Sequence, residues 1–128
     1  MNEISIDTDV LIDLGRQFKP AIHFFDTLPV DTLIHVSVIV KMELLAGCRN
    51  KLEQRRTEQF VQNFPLLPVT PEDSLLACRF FADYHLSHGI GILDCLIGAS
   101  AIGRKTPLVT KNRKHFSILP GLTVVTTY

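Results

Sequence analysis

The chain alternates short apolar runs with stretches in which apolar residues recur every three or four positions. Residues 3–6, EISI, form a first apolar run that ends at Asp7. Val10, Leu11, Leu14 and Phe18 then recur at helical spacing, which predicts a helix beginning near Thr8 or Asp9. Pro20 opens a second helical piece over 21–28, and TLIHVS (32–37), β-branched and bounded by turn residues, predicts a second strand. Ser37 has the chemistry of a helix N-cap, and Val38, Met42 and Leu45 make the apolar stripe of a helix that stops near Gly47. A polar helix follows to about residue 62, then PLLPV (65–69) as a brief strand. TPED (70–73) starts a further helix, with Thr70 as cap, Pro71 at the first position and acids in the first turn. That helix runs to about Ser87, ahead of the loop His88-Gly89. ILDCLIGASAIG (92–103) is apolar on nearly every side, with Asp94 its one charge, which predicts a buried helix. PLVT (107–110) and LTVVT (122–126) read as the remaining strands.

Strands alternating with helices predict an α/β three-layer sandwich around a central, mainly parallel sheet of four to five strands. No internal repeat, low-complexity tract or linker interrupts the pattern, so residues 1–128 are expected to be one domain around one core. Ligands of such sheets sit beyond the carboxyl ends of the strands, near the point where strand order reverses. Asp7, Ser37 and Thr110 each end a predicted strand and are expected to share that edge.

Composition narrows the class. A hydrophobic fraction of 46% with 20% charged residues excludes a disordered chain. No stretch approaches the roughly 20 apolar residues of a membrane span. Asn2 and Glu3 stand where a signal peptide would carry basic residues, so no leader and a cytoplasmic location are expected. Cys48, Cys78 and Cys95 are odd in number, widely separated and without zinc spacing; they read as reduced thiols filling the core. Thirteen basic and thirteen acidic side chains cancel, so any nucleic-acid binding must come from local patches. Of two such patches, CRNKLEQRR (48–56) reads as a solvated helix face, whereas KNRKH (111–115) directly follows a strand.

The acids carry the candidate chemistry. Asp7 or Asp9 suits a helix N-cap, and Asp13 and Arg16, one turn apart, suit a surface pair, although Arg16 has the reach to meet a phosphate. Glu43 has the small residues Ala46 and Gly47 one turn on, leaving room for a metal or substrate, or for water. Asp94 is the most telling: the helix dipole accounts for its place in a first turn, but an ionised carboxylate in an apolar helix calls for a partner. Three carboxylates at one sheet edge would raise one another's pKa values, a cost that a hard dication removes. Such an ion activates water and neutralises charge on a phosphodiester.

IDTDVLIDLGR (6–16), KMELLAG (41–47), ILDCLIGASAI (92–102) and LVTKNRKHF (108–116), in this order, resemble the PIN-domain family, and within it the VapC-type toxins of toxin–antitoxin modules. The resemblance covers almost the whole chain. It implies a PIN-like fold and a Mg²⁺- or Mn²⁺-dependent endoribonuclease, commonly a homodimer, inhibited by a cognate antitoxin protein. Residue by residue it implies Asp7, Glu43 and Asp94 as the metal-holding acids and Thr110 as a hydroxyl lining the site. Asn112 stands at a fourth position that is often Asp, which removes a charge and puts a second ion in question. His115, where many relatives also carry Asp, is expected to face solvent. Lys111, Arg113 and Lys114, with Arg16, are the candidates for contacts to the RNA backbone.

Three rivals compete. Asp7-Thr8-Asp9-Val10-Leu11 also fits the opening of a haloacid-dehalogenase-like phosphatase, with Asp7 as nucleophile, Asp9 as acid, Ser37 as strand-end hydroxyl and Lys111 as lysine. That chemistry needs a late acidic pair, and nothing after Thr110 is acidic. A receiver domain would want an Asp ending its third strand, where Thr70 stands. A non-catalytic PIN-like interaction module is the third reading. Phe80, Phe81 and Tyr84, at helical spacing, suit core packing or a dimer face.

Overall fold

A computed structural model describes residues 2–128. In chain order it contains β1 (Glu3–Ile6), α1 (Thr8–Gly15), α2 (Lys19–Asp26), β2 (Leu33–Ser37), α3 (Val38–Ala46) and α4 (Lys51–Val61). After these come β3 (Leu66–Leu67), α5 (Pro71–His88), α6 (Ile92–Arg104), β4 (Leu108–Val109), α7 (Arg113–Phe116) and β5 (Val124–Val125). The five strands form one sheet of order β3-β2-β1-β4-β5, parallel at every pairing. Helices cover both faces, so the three central strands carry buried apolar residues: Ile6, Val36, Leu108 and Val109 are at most 1% exposed. Where β1 carries a polar residue, Ser5, its hydroxyl pairs with that of Thr106 at 2.5 Å. No helix among the described residues is long and apolar enough to cross a membrane.

Local chemistry sets the helix starts. The Asp7 carboxylate accepts from the Thr8 N–H at 2.8 Å and caps α1, which leaves Asp9 exposed in the first turn. The Ser37 hydroxyl accepts from Ile39 and Val40 N–H and caps α3. Thr70 and Asp73 cap α5 reciprocally, with Pro71 at the first helical position. The turn that closes α5 is made by Gly89 at φ 68°.

Three expectations need correction. In α3 the buried residues are Ile39 and Val40, not the stripe of Val38, Met42 and Leu45, because only the first turn lies on the sheet; Met42 is 55% exposed. In α6 the first turn protrudes, with Ile92 61% and Leu93 45% exposed, and burial begins at Cys95. Of the cysteines only Cys95 fills the core; Cys78 lies on the outer face of α5. The basic patch follows β4 as expected, and its last three residues begin a short helix, α7, anchored by the fully buried Phe116. Among the aromatic and basic stretches the expected roles hold: Phe80 is buried, Phe81 and Tyr84 pack against the core, and the 48–56 stretch is a solvated face held by the Arg49–Glu53 pair.

Candidate functional site

β1 is central, and the chain leaves it toward β2 on one side and β4 on the other. The strand order therefore reverses at the crevice between β1 and β4. The pairing of Ile6 with Val109 puts the next residues, Asp7 and Thr110, level with each other at the carboxyl ends. Thr110, fully buried, donates its hydroxyl to Asp7 Oδ2 at 2.7 Å and accepts the Asn112 N–H at 2.9 Å. Asp7 is only 5% exposed and has no Lys or Arg partner. Burial pushes its carboxyl up to about 6, outweighing the hydrogen bonds from Thr110 and Thr8, and the charges of Asp94 and Asp9 push the same way.

The other two acids reach this point by different routes. Glu43, half-buried on α3, accepts the Thr8 hydroxyl at 2.6 Å, so Thr8 bonds to Asp7 through its N–H and to Glu43 through its side chain. Asp94 sits at the boundary between the exposed first turn of α6 and its buried remainder. Burial raises its pKa, while the neighbouring His115 opposes the rise and the Asp9 charge adds to it.

His115 faces solvent only in part, its side chain 34% exposed. The α7 turn folds it back over α6, with Nδ1 3.4 Å from Asp94 Oδ2. The Asn112 amide nitrogen lies 3.1 Å from the same ring nitrogen. That nitrogen accepts from Asn112 when unprotonated and faces Asp94 as a donor when protonated. The Asn112 side-chain oxygen is thereby left free of the imidazole.

The Asp13–Arg16 pair is not formed. Lys111 reaches across from the end of β4, and its Nζ takes Asp13 Oδ2 at 2.6 Å, an oxygen that also accepts the Tyr128 hydroxyl at 2.7 Å. Arg16 remains exposed at the end of α1, and Arg113 and Lys114 remain exposed on α7. The phosphatase reading loses two of its parts here: its lysine is bound to Asp13, and Ser37 is spent as a cap. Asp9 is the residue that sequence reasoning undervalued, because its charge acts on Asp7, Asp94 and Tyr128 alike. Its spacing two residues past Asp7, in the first turn beyond the strand, was the available signal.

Among the described residues, no three His, Cys, Asp or Glu side chains are grouped closely enough to hold a metal ion as they stand. The donor chemistry nevertheless fits a hard divalent cation. Asp7 and Asp94 are carboxylates whose ionised forms are disfavoured by burial, the Asp94 charge weighing further on Asp7, with Glu43 tied to Asp7 through Thr8. Asp7, Asp94 and Glu43 are the residues that could hold it, in an open site of the kind that Mg²⁺, which keeps several of its waters, commonly occupies.

Parallel strands in this order with carboxylates at the reversal point define an α/β domain built for a ligand at one sheet edge. The PIN domain profile matches residues 4–121, and the chain belongs to that family. Among curated proteins it is similar to "Ribonuclease VapC19" of Mycobacterium tuberculosis, 33% identical over 119 residues that cover 91% of this chain and 94% of that one. It is equally similar to "Ribonuclease VapC" of Rickettsia bellii, 33% identical over 131 residues, covering 94% and 93%. Among solved structures, a toxin–antitoxin complex from Klebsiella pneumoniae contains a chain that matches with TM-score 0.77 and 26% identity over 98% of each chain. VapBC2 from Rickettsia felis, bound to a DNA fragment from its promoter, matches in fold with TM-score 0.83 at 21% identity, covering 98% and 99%.

Proposed function

We propose that this protein is a metal-dependent endoribonuclease that hydrolyses RNA phosphodiester bonds, the toxin of a toxin–antitoxin pair. Its partners are an RNA substrate and a cognate antitoxin, its assembly a homodimer, its location the cytoplasm and its ion Mg²⁺ or Mn²⁺. The observation that carries the reading is Asp7: a buried carboxylate at the strand-order reversal, beside Asp94 and without a cationic partner, in a chain one-third identical to two proteins named ribonucleases.

In this reading Asp7 and Asp94 hold the ion, with Glu43 as a third acid. Bound there, it supplies charge neutralisation at the phosphate and a more acidic water. Thr110 fixes the direction of the Asp7 carboxylate, and Thr8 holds Asp7 and Glu43 in register. His115 steadies Asp94 when protonated, and when neutral it holds the Asn112 amide turned so that its oxygen is available. Exposed Arg16, Arg113 and Lys114, and the two unspent N–H donors of Lys111, meet RNA phosphates around the site.

The test of the reaction class is a mixed RNA pool and a phosphomonoester offered to the same purified protein with Mg²⁺ or Mn²⁺. RNA cleavage with the monoester intact is the expected result. Monoester turnover with RNA intact would overturn the proposal in favour of a phosphatase, and a folded protein inert toward both would favour the interaction module.

A further inference from the structure

α1 ends in a tight turn that fixes the direction of Phe18. The Phe18 N–H donates to the Asp13 carbonyl at 2.9 Å and the Gln17 N–H to the Leu14 carbonyl at 3.1 Å, with Gln17 at φ 59° in the left-handed region. An apolar residue placed as Phe18 is here usually folds back onto the preceding helix. The residue it would meet is Asp13, already engaged by Lys111 and Tyr128. Phe18 instead stands away from the helix, 47% exposed and edge-on to Tyr128, itself 41% exposed, with ring centroids 5.9 Å apart at 61°.

Tyr128 is anchored where it stands. Its hydroxyl donates to the Asp13 oxygen that also accepts Lys111, and the Lys111 ammonium lies 5.5 Å from its ring centroid. Asp13, whose carboxylate is taken by Lys111 and Tyr128, lines a shallow pocket with Arg16, Gln17, Phe18, Lys19 and Pro20. Three cations, Arg16, Lys19 and Lys111, therefore border two half-exposed aromatic rings. Lys111 directly follows Thr110, which is bound to Asp7, so the group lies at the rim of the carboxylate site.

Exposed π faces among fixed cations match single-stranded nucleic acid, whose bases stack on aromatic rings while its phosphates take the charges. A base inside a duplex cannot reach such a ring, so the occupant must be unpaired. We propose that Phe18 and Tyr128 form a stacking subsite for one unpaired base of the RNA flanking the scissile phosphate, with Lys111, Arg16 and Lys19 holding the adjoining phosphates. The proposal rests on the ribonuclease reading and adds to it a position at which the enzyme senses the base.

The experiment uses the full chain as wild type, Phe18→Ala, Tyr128→Ala and Tyr128→Phe. Short single-stranded RNAs carry the fluorescent base aminopurine, placed at each position in turn, and binding is read in EDTA so that no cleavage is needed. Wild type and Tyr128→Phe are expected to quench the fluorophore at one position and to bind about tenfold more tightly than either alanine variant. With divalent metal present, an abasic nucleotide at that position should raise KM for wild type and have no further effect in the alanine variants. Phe18→Leu and Tyr128→Leu, which keep an apolar side chain without a π face, should behave as the alanines do and guard against a folding defect. RNA binding without quenching at any position, or equal quenching by wild type and the alanine variants, would overturn the subsite even if RNA is cut. Loss of antitoxin binding alone in the alanine variants would do the same, assigning the surface to the partner protein. Failure of the nuclease reading is read separately, as absence of cleavage by wild type with metal.

Discussion

Burial raises Asp7 to about 6 although Thr8 and Thr110 both donate hydrogen bonds to it, so without a cation the ionised side chain opposes folding. Its folded pKa lies above the ordinary 3.8, so the native state holds the proton more tightly. The stability this gives is full below pH 4 and is lost as pH rises through 6, the loss reaching about 3 kcal/mol by neutrality on the linkage relation. Asp7→Asn is therefore expected to raise the melting temperature at pH 7 in EDTA and to have no such effect below pH 4. Adding Mg²⁺ or Mn²⁺ should stabilise wild type and leave the variant unmoved, as thermal melts in both buffers would test. Thr8 makes a second, independent prediction. Thr8→Val removes the hydroxyl that holds Glu43 and is expected to lower metal affinity or RNA cleavage about 10–100-fold, as loss of a ligand-orienting partner commonly does. A variant with unchanged cleavage and metal affinity would exclude Glu43 from the site. Asp7 and Asp94 were legible in the sequence because each breaks an apolar segment at a strand or helix boundary. The Asp94–His115 and Asp13–Lys111–Tyr128 contacts were not, since they join residues brought close only by sheet order and by the fold of α7.

At the scale of elements, two helices end with a non-glycine residue in the left-handed region. Gln17 follows α1 at φ 59°, and Lys105 follows α6 at φ 61° with the same pair of closing hydrogen bonds. Gln17→Gly and Lys105→Gly are each expected to stabilise the protein by about 1 kcal/mol, measurable by urea unfolding, since glycine escapes the steric cost of that conformation. The close packing of α6 against α5 predicts the opposite sign elsewhere. A Cβ at Gly103 would collide with the Asp73 carboxylate, which caps α5, so Gly103→Ala should cost about 1–3 kcal/mol. Helix starts such as Thr70-Pro71 were readable because capping is local chemistry. The buried face of α3 was not, because a helix apolar on several sides carries no sign of which turn meets the sheet. Nor did the apolar character of α6 reveal that its first turn protrudes; that follows from where β1 and β4 end.

For the whole molecule, thirteen cations balance thirteen anions, so RNA is attracted by the site's rim and not by a general field. Contacts by Arg16, Lys111, Arg113 and Lys114 would give a slope of binding constant against salt, on logarithmic axes, of about −3 for single-stranded RNA. A slope near −10 would place far more of the surface on the RNA. The fold class and the parallel sheet were legible from the alternation of strand and helix patterns, whereas the surface that would meet a partner protein is not marked out in the pattern of this one chain. The central claim is that Asp7, Glu43 and Asp94 make a metal-dependent ribonuclease site. Its most direct test is metal add-back: wild type and Asp94→Asn, stripped with EDTA, are given RNA before and after Mg²⁺ or Mn²⁺ is restored. Cleavage by wild type that appears only on add-back and stays absent in the variant is the result expected here. Cleavage that persists in EDTA, or that Asp94→Asn retains in full, would contradict it.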